Sequence, residues 1–258
     1  MGKLWPDISP LVWKVLQRHL AVYRKTWKVS MSLNFVEPLL YLSALGLGLG
    51  AYVQPIEGMP YLSYLAPGLI ASSAMFATAY ECTYGTFIRM DFQKTFHAII
   101  ATPASIDDVI MGEVLFGTFK SLLYGSTILL VVAALKLVLS PWVLLIPVAL
   151  VLSGLFFAVL SMIWTGLVPN INSFNYFFSL IITPLFLFSG VFFPLTGMPA
   201  LVRQIAWFSP LYHVVNLTRG LAAGNAGWPL AGDFIWLLAA TVILLPVPLF
   251  LLRRLTIK

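Results

Sequence analysis

Charge is scarce in this chain. Asp, Glu, Lys and Arg make up 9% of the 258 residues, against 60% hydrophobic residues, and the mean hydropathy is +0.94. A soluble domain carries roughly 25% charged residues, so this composition excludes one and indicates an integral membrane protein. A soluble α-domain would also alternate polar and apolar faces, whereas the long runs here are apolar all round. There is one cysteine, Cys82, which excludes an intramolecular disulfide and a cysteine metal cluster. The three histidines, His19, His97 and His213, lie in separate regions, so each reads as an interfacial side chain and no metal site is expected.

Several chemistries lack their motifs. No G-x-x-x-x-G-K-[ST] phosphate loop occurs; the "GLGLG" at 46–50 has no lysine and sits in an apolar run. No H-E-x-x-H helix and no G-x-S-x-G elbow is present. The polar segments are too short for a catalytic domain of ordinary size, so no catalytic residue and no cofactor is assigned. The net charge of +6 reads, in a membrane protein, as cytoplasmic loops beside anionic lipid rather than as a nucleic-acid surface.

At about 20 residues per span, the sequence predicts six transmembrane helices near 30–52, 61–87, 107–134, 142–168, 174–193 and 229–252. The chain reads as an all-α integral membrane protein of one domain. Residues 1–29 form a cytoplasmic interfacial helix, 30–193 spans 1–5, 194–228 a re-entrant outer segment, and 229–258 span 6 with a cytoplasmic tail. The first run long enough to insert begins near Ser30, behind a basic segment, so no cleavable signal is expected. Lys3, Lys14, Arg18, Arg24, Lys25, Lys28, Arg89, Lys94, Arg253, Arg254 and Lys258 fall on one side, and Lys136, Arg203 and Arg219 on the other. That asymmetry puts both termini in the cytoplasm of a multi-pass inner-membrane protein.

Ahead of span 1, "PLVWKVLQRHLAVYRKTWK" sets Lys14, Arg18, Lys25 and Lys28 on one helical face. Val12, Leu16, Leu20, Tyr23 and Trp27 supply an apolar side. This is a basic amphipathic helix on the cytoplasmic surface, either a topology anchor or an element that transmits motion. After span 5, "SGVFFPLTGMPALVRQIAWFSPLYHVVNLTRG" is too apolar for a free loop, while its prolines forbid one straight span. Two short helices near 198–208 and 210–222, dipping into the outer leaflet as a hairpin, fit it, with Trp207, Tyr212 and Trp228 at the outer interface.

Charges inside the spans are costly and usually face an interior. Glu37, Glu81 and Glu113 each lie roughly 10 Å from the cytoplasmic side, and Lys120 is two turns beyond Glu113. They either pair and hold spans 1 to 3 together or line a polar entrance for an amphiphile's headgroup, in different states of a cycle. Pro38, directly after Glu37, removes a backbone donor and crowds the carbonyl of Asn34, so a bend is expected there. On the outer side Phe188, Gly190, Phe192, Phe193 and Pro194 form either an apolar gate that excludes water or ordinary helix packing.

The chain resembles the ABC-2 type exporter permeases. The resemblance is carried by the basic leading helix, "YLAPGLIASSAMFATAYE", the inner-face "FHAIIATPASIDDVIMGEVL" and the outer segment quoted above. "EPLLYLSALGLGLG", "TFIRMDFQKTFHAIIAT" and "GEVLFGTFKS" are similar to the nodulation-type branch, the lipo-oligosaccharide exporters. The resemblance implies a half-transporter: a homodimer of this chain on two copies of a separate nucleotide-binding subunit, which holds ATP and Mg. It implies export of an amphipathic or glycan-bearing molecule from the membrane lipid, with no chemistry by this chain. In the inner-face segment Phe96, His97, Ile99, Ile100, Thr102 and Pro103 are expected to couple to that subunit, Phe96, Ile99 and Ile100 filling an apolar slot in it; the alternative is a helix lying on lipid. Pro103 should stop this helix, and Ser105 should cap span 3, with acids in its first turn. Other readings are a drug, antibiotic or polysaccharide exporter, a proton-coupled transporter with Glu37 or Glu81 as carrier, and an intramembrane acyltransferase using His213. The last lacks a clustered nucleophile, base and orienting group.

Overall fold

Between Leu11 and Glu37 there is no glycine and no proline, so nothing stops a helix once it starts. Accordingly α1 (Val12–Tyr41) runs unbroken for 30 residues. The expected boundary at residue 29, between a surface helix and a first span, is absent. The computed structural model describes residues 7–56, 58–138, 140–225 and 227–256, with backbone only at 29 and 32–35. Lys3 and Lys258 of the orientation pattern lie outside the described residues.

Pro38 sits inside α1, and past it the backbone widens into π-helix over Leu42–Gly48 and then tightens into a 3-10 turn at Leu49–Ala51. The apolar part of this element, Val36–Ala51, is shorter than a full span. Five other helical stretches are long and apolar enough to cross a membrane: Tyr61–Phe92, Ile106–Ala134, Pro141–Leu167, Ile171–Phe188 and Trp228–Leu255. Each coincides with an expected span to within several residues, and no strand is present among the described residues.

The leading part of α1 does more than lie on lipid. Val12, Val15, His19 and Tyr23 recur every three or four residues and are buried, while Lys14, Arg18, Lys25 and Lys28 are exposed. The buried stripe packs on α4 (Ile106–Ala134). Gly112 makes the approach possible: a Cβ there would stand 2.4 Å from Val15 Cγ1. Of the other expected apolar contacts, Leu16 and Leu20 are half-buried and Trp27 is exposed.

The most enclosed element is α2 (Tyr61–Tyr80), with 83% of its most apolar window inside the chain. It lies against α4, α5 (Ile146–Leu167) and α9 (Pro210–Ala223). A short helix, α3 (Thr95–Ile100), follows a left-handed Lys94 and ends before Pro103. The Ile171–Phe188 stretch contains α6 (Phe174–Phe177) and α7 (Thr183–Phe188) around a π-turn. The segment expected on the outer side forms α8 (Ala200–Trp207) and α9, within two residues of the expected bounds. Gly190 starts this segment at φ +79°, and its carbonyl accepts from Tyr64 Oη (3.2 Å) and Arg219 Nη2 (2.8 Å). The chain closes with α10 (Trp228–Leu244) and α11 (Pro246–Thr256).

Candidate functional site: a charged cluster inside the helices

Beyond Tyr80 the second helix continues as two π-turns, Glu81–Gly85 and Ile88–Phe92. In a regular α-helix residues eight apart are offset by about 80°; wider turns reduce that offset and carry Arg89 round to the side of Glu81. Gly85 leaves room for the pair, since a Cβ there would stand 2.7 Å from Glu81 Oε1. Arg89, expected among the cytoplasmic loop charges, instead turns inward, with 15% of its side chain exposed.

Arg89 organises the acids. Its Nη1 lies 2.7 Å from Glu81 Oε1, while Nη2 and Nε donate to Glu113 Oε2 (2.5 Å) and Oε1 (2.9 Å). The planar fork of a guanidinium suits two carboxylates at once. Thr86 Oγ1 donates to Glu113 Oε2 at 2.9 Å, and His19 Nε2 lies 3.3 Å from Glu113 Oε1. On the other flank Lys120 Nζ is 3.4 Å from Glu81 Oε2 and 4.2 Å above the Tyr23 ring. Two carboxylates and two cations cancel formally, in keeping with the cost of unpaired charge at such depth.

A cavity of about 250 Å³ opens onto this cluster. Glu81, Arg89, Lys120 and His19 line it from within, with Arg18 and Ser30 from α1. The arrangement can hold and exchange polar groups. No three His, Cys, Asp or Glu side chains gather into a metal-binding group among the described residues.

The cluster joins Glu81, Glu113 and Lys120, three of the four residues singled out as intramembrane charges. Lys120 pairs with Glu81, and Glu113 pairs with Arg89. Glu37 stands elsewhere: it is exposed and lines a small recess with Tyr41, Ser72, Ser73, Phe76 and Tyr80. His19 and Arg89 were missed as members. Only His19 left a trace in the sequence, at the spacing of Val12, Val15 and Tyr23.

His19 and His213, expected at the interface, are both buried, at 3% and 2% exposure. His213 stacks on Trp236 at 4.2 Å, faces Asp233 Oδ1 through Nδ1 (2.6 Å), and donates from Nε2 to the Trp207 carbonyl (2.7 Å). With both ring nitrogens engaged, it has none left to activate a nucleophile.

The inner-face segment also needs correcting. Phe96 was expected to project into a partner but is fully buried among Ile106, Val109, Ile110 and Leu252 of its own chain. A six-residue helix cannot hold itself on the surface, and this ring anchors it. Ile99 and Ile100 are half-buried, and His97, Thr102 and Pro103 remain exposed. Ser105 caps α4 as expected, in a reciprocal capping box with Asp108. The two acids of that first turn also bind both ends of the chain. Asp108 accepts from Ser9 N (2.6 Å) and Oγ (2.8 Å), and Asp107 accepts from Asp7 N (2.6 Å) and from the Arg253 guanidinium.

Among the residues expected to form an outer gate, Phe192 packs on Phe186 (4.8 Å) and Tyr41 (6.1 Å), whereas Phe188 is exposed. Phe193 and Pro194 are half-buried, and Gly190 is buried under Arg219 and Tyr64.

Known proteins are similar to this chain in sequence over most of its length. It is 36% identical over 214 residues to Nodulation protein J of Rhizobium meliloti (strain 1021), covering 82% of this chain and 80% of that protein. It is 33% identical over 264 residues to Nodulation protein J of Neorhizobium galegae, covering 98% of each. With the Inner membrane transport permease YadH of Escherichia coli (strain K12) it shares 22% identity over 239 residues, 91% of this chain and 90% of that protein. Residues 10–222 match the family described as ABC-2 type transporter, and this multi-pass membrane chain belongs to that family.

Proposed function

We propose that this chain is the membrane half of an ATP-driven exporter that moves an amphipathic, glycan-bearing molecule out of the cytoplasmic leaflet. In this reading it crosses the inner membrane six times, the first crossing made by the distal part of α1 with Leu42–Ala51. Both termini are cytoplasmic, and α8 and α9 form a hairpin that enters the outer leaflet and returns. Two copies assemble on two copies of a separate nucleotide-binding subunit, which supplies ATP and Mg; the chain has no cofactor of its own. The single domain keeps the divisions given above, except that residues 1–29 and the first span are one helix.

The observation that carries this reading is the compensated cluster Glu81–Arg89–Glu113–Lys120 beside a polar cavity. Such a group can part and re-form while a polar headgroup passes, each partner exchanging one ion pair for another. The exposed edge of α3 and the turn that follows it, with His97, Thr102 and Pro103, is the contact for the nucleotide-binding subunit. It is continuous through Ser105 with the turn that holds Asp7, Ser9 and Arg253, so a push on α3 reaches both ends of the chain. The Phe186–Phe192 pair with Tyr41 closes the outer end. A protein of this design hydrolyses no ATP alone and stimulates hydrolysis once combined with its nucleotide-binding partner. Hydrolysis by the isolated chain, or none in the reconstituted complex, would contradict it.

A further inference from the structure

The turn that brings Arg89 to its carboxylates is held from outside its own helix. In a regular α-helix the backbone N–H of Thr86 would reach the carbonyl of Cys82, four residues back. Here it reaches that of Glu81, five back, which makes Glu81–Gly85 a π-turn. The Cys82 carbonyl accepts instead from Thr165 Oγ1 at 2.8 Å, at the inner end of α5. Single π-turns are rare and gather at functional sites. In this one a hydroxyl from a neighbouring helix stands where a backbone donor would be.

Thr165 is fully buried, and its Oγ1 also lies 2.9 Å from the carbonyl of Ser161 in its own helix. A hydroxyl has one hydrogen, so it serves one carbonyl at a time. The two acceptors correspond to two registers. While the hydrogen is on the Cys82 carbonyl, Thr86 N–H stays with Glu81 and the turn stays wide. Once it passes to Ser161, the Cys82 carbonyl is open to Thr86 N–H and the turn can close to α. Closing shifts the helix beyond it by one residue, about 100° around its axis, which takes Arg89 off the side of Glu81 and Glu113. Thr86 ties the turn to the cluster, because its Oγ1 is within reach of the Glu81 carbonyl (3.3 Å) and of Glu113 Oε2 (2.9 Å). Beyond the turn, Ile88, Arg89 and Gln93 border the cavity of about 250 Å³, so the segment has open volume to rotate into.

We propose that Thr165 is a positioning residue for the charged cluster. Its hydroxyl holds the wide turn and so sets Arg89 across both carboxylates. When the inner end of α5 draws back, the turn closes and Arg89 swings out. This rests on the export reading above and names what parts the cluster.

The test is modification of the full chain in lipid nanodiscs by phenylglyoxal, an arginine reagent, read residue by residue from peptide masses. Arg24, exposed on α1, sets the reference rate, and Arg219 on α9, which donates to the Gly190 carbonyl, reports general loosening. Thr165→Val keeps the shape and removes the hydroxyl. It should raise modification of Arg89 about fivefold, or about 1 kcal/mol, the net value of one hydrogen bond, and leave Arg219 unchanged. Thr165→Ser keeps the hydroxyl and should stay within about twofold of wild type. Thr165→Ala is the second hydroxyl-free variant where Thr165→Val fails to fold, and the same pattern is expected of it. An unchanged Arg89 rate would mean that the turn holds itself. An equal rise in Thr165→Ser would assign the effect to packing, and a matching rise at Arg219 would assign it to loss of the fold. Each of these overturns the proposal. Modification is read without ATP or partner, so a complex that moves no cargo counts against export, not against the switch.

Discussion

Arg89→Ala should be the most damaging single truncation in the chain. Its guanidinium makes contacts of 2.5, 2.7 and 2.9 Å to two carboxylates, and Glu113 is only 1% exposed. After truncation Lys120 can still serve Glu81, but Glu113 is left with Thr86 and His19, and the cluster carries one uncompensated negative charge. Breaking a buried pair in this way costs about 3–5 kcal/mol, a fall in unfolding midpoint on the order of 10 °C for a domain of this size. Arg89→Lys should recover only part of the loss, because one ammonium cannot fork across two carboxylates. Glu113→Gln in the Arg89→Ala background should recover more, because it removes the stranded charge. The chain carries its own reporter: Cys82 is its single cysteine, fully buried beside the cluster, so a fluorogenic maleimide reads unfolding directly. A loss for Arg89→Ala below about 1 kcal/mol, the value of an exposed pair, or a double variant no better than the single one, would refute the reasoning.

Gly112→Leu should separate α1 from α4 and raise protease cleavage between residues 12 and 30, since even a Cβ would stand 2.4 Å from Val15; an unchanged cleavage rate would show that the contact is dispensable. Phe96→Asp should destabilise the chain itself by several kcal/mol, read by Cys82 labelling, because it places a charge in a closed apolar cluster. Thr102→Glu, on the exposed edge, should leave that midpoint unchanged and lower ATP hydrolysis in the complex; the reverse pattern would remove α3 from the partner contact. Phe192→Ala should raise small-solute leak through proteoliposomes, and normal tightness would leave Phe192 with a packing role alone.

Five of the six expected spans were legible because hydropathy over twenty residues is a bulk property that tertiary contacts cannot reverse. Ser105 was legible because a capping box is written in four consecutive residues. The continuity of α1 was hidden by a change in composition near Ser30, which alters the solvent a helix meets but supplies no stop signal. Arg89 was hidden because its sequence neighbours, "IRMDFQK", read as a loop, and only the π-turns bring it back to Glu81. Those turns leave no local signature in propensity. Phe96 was misplaced because an apolar residue outside a membrane can be buried by a partner or by its own chain, and periodicity alone cannot distinguish the two. Glu37 was grouped with Glu81 and Glu113 by depth, but equal depth says nothing of azimuth.

The most direct measurement of the central claim is movement of a fluorescent acyl-oligosaccharide across sealed proteoliposomes containing this chain, its nucleotide-binding partner, or both. The expected result is transfer between leaflets that needs both proteins and ATP. Transfer by the chain alone under a proton gradient, or by the complex with ATP withheld, would contradict the account.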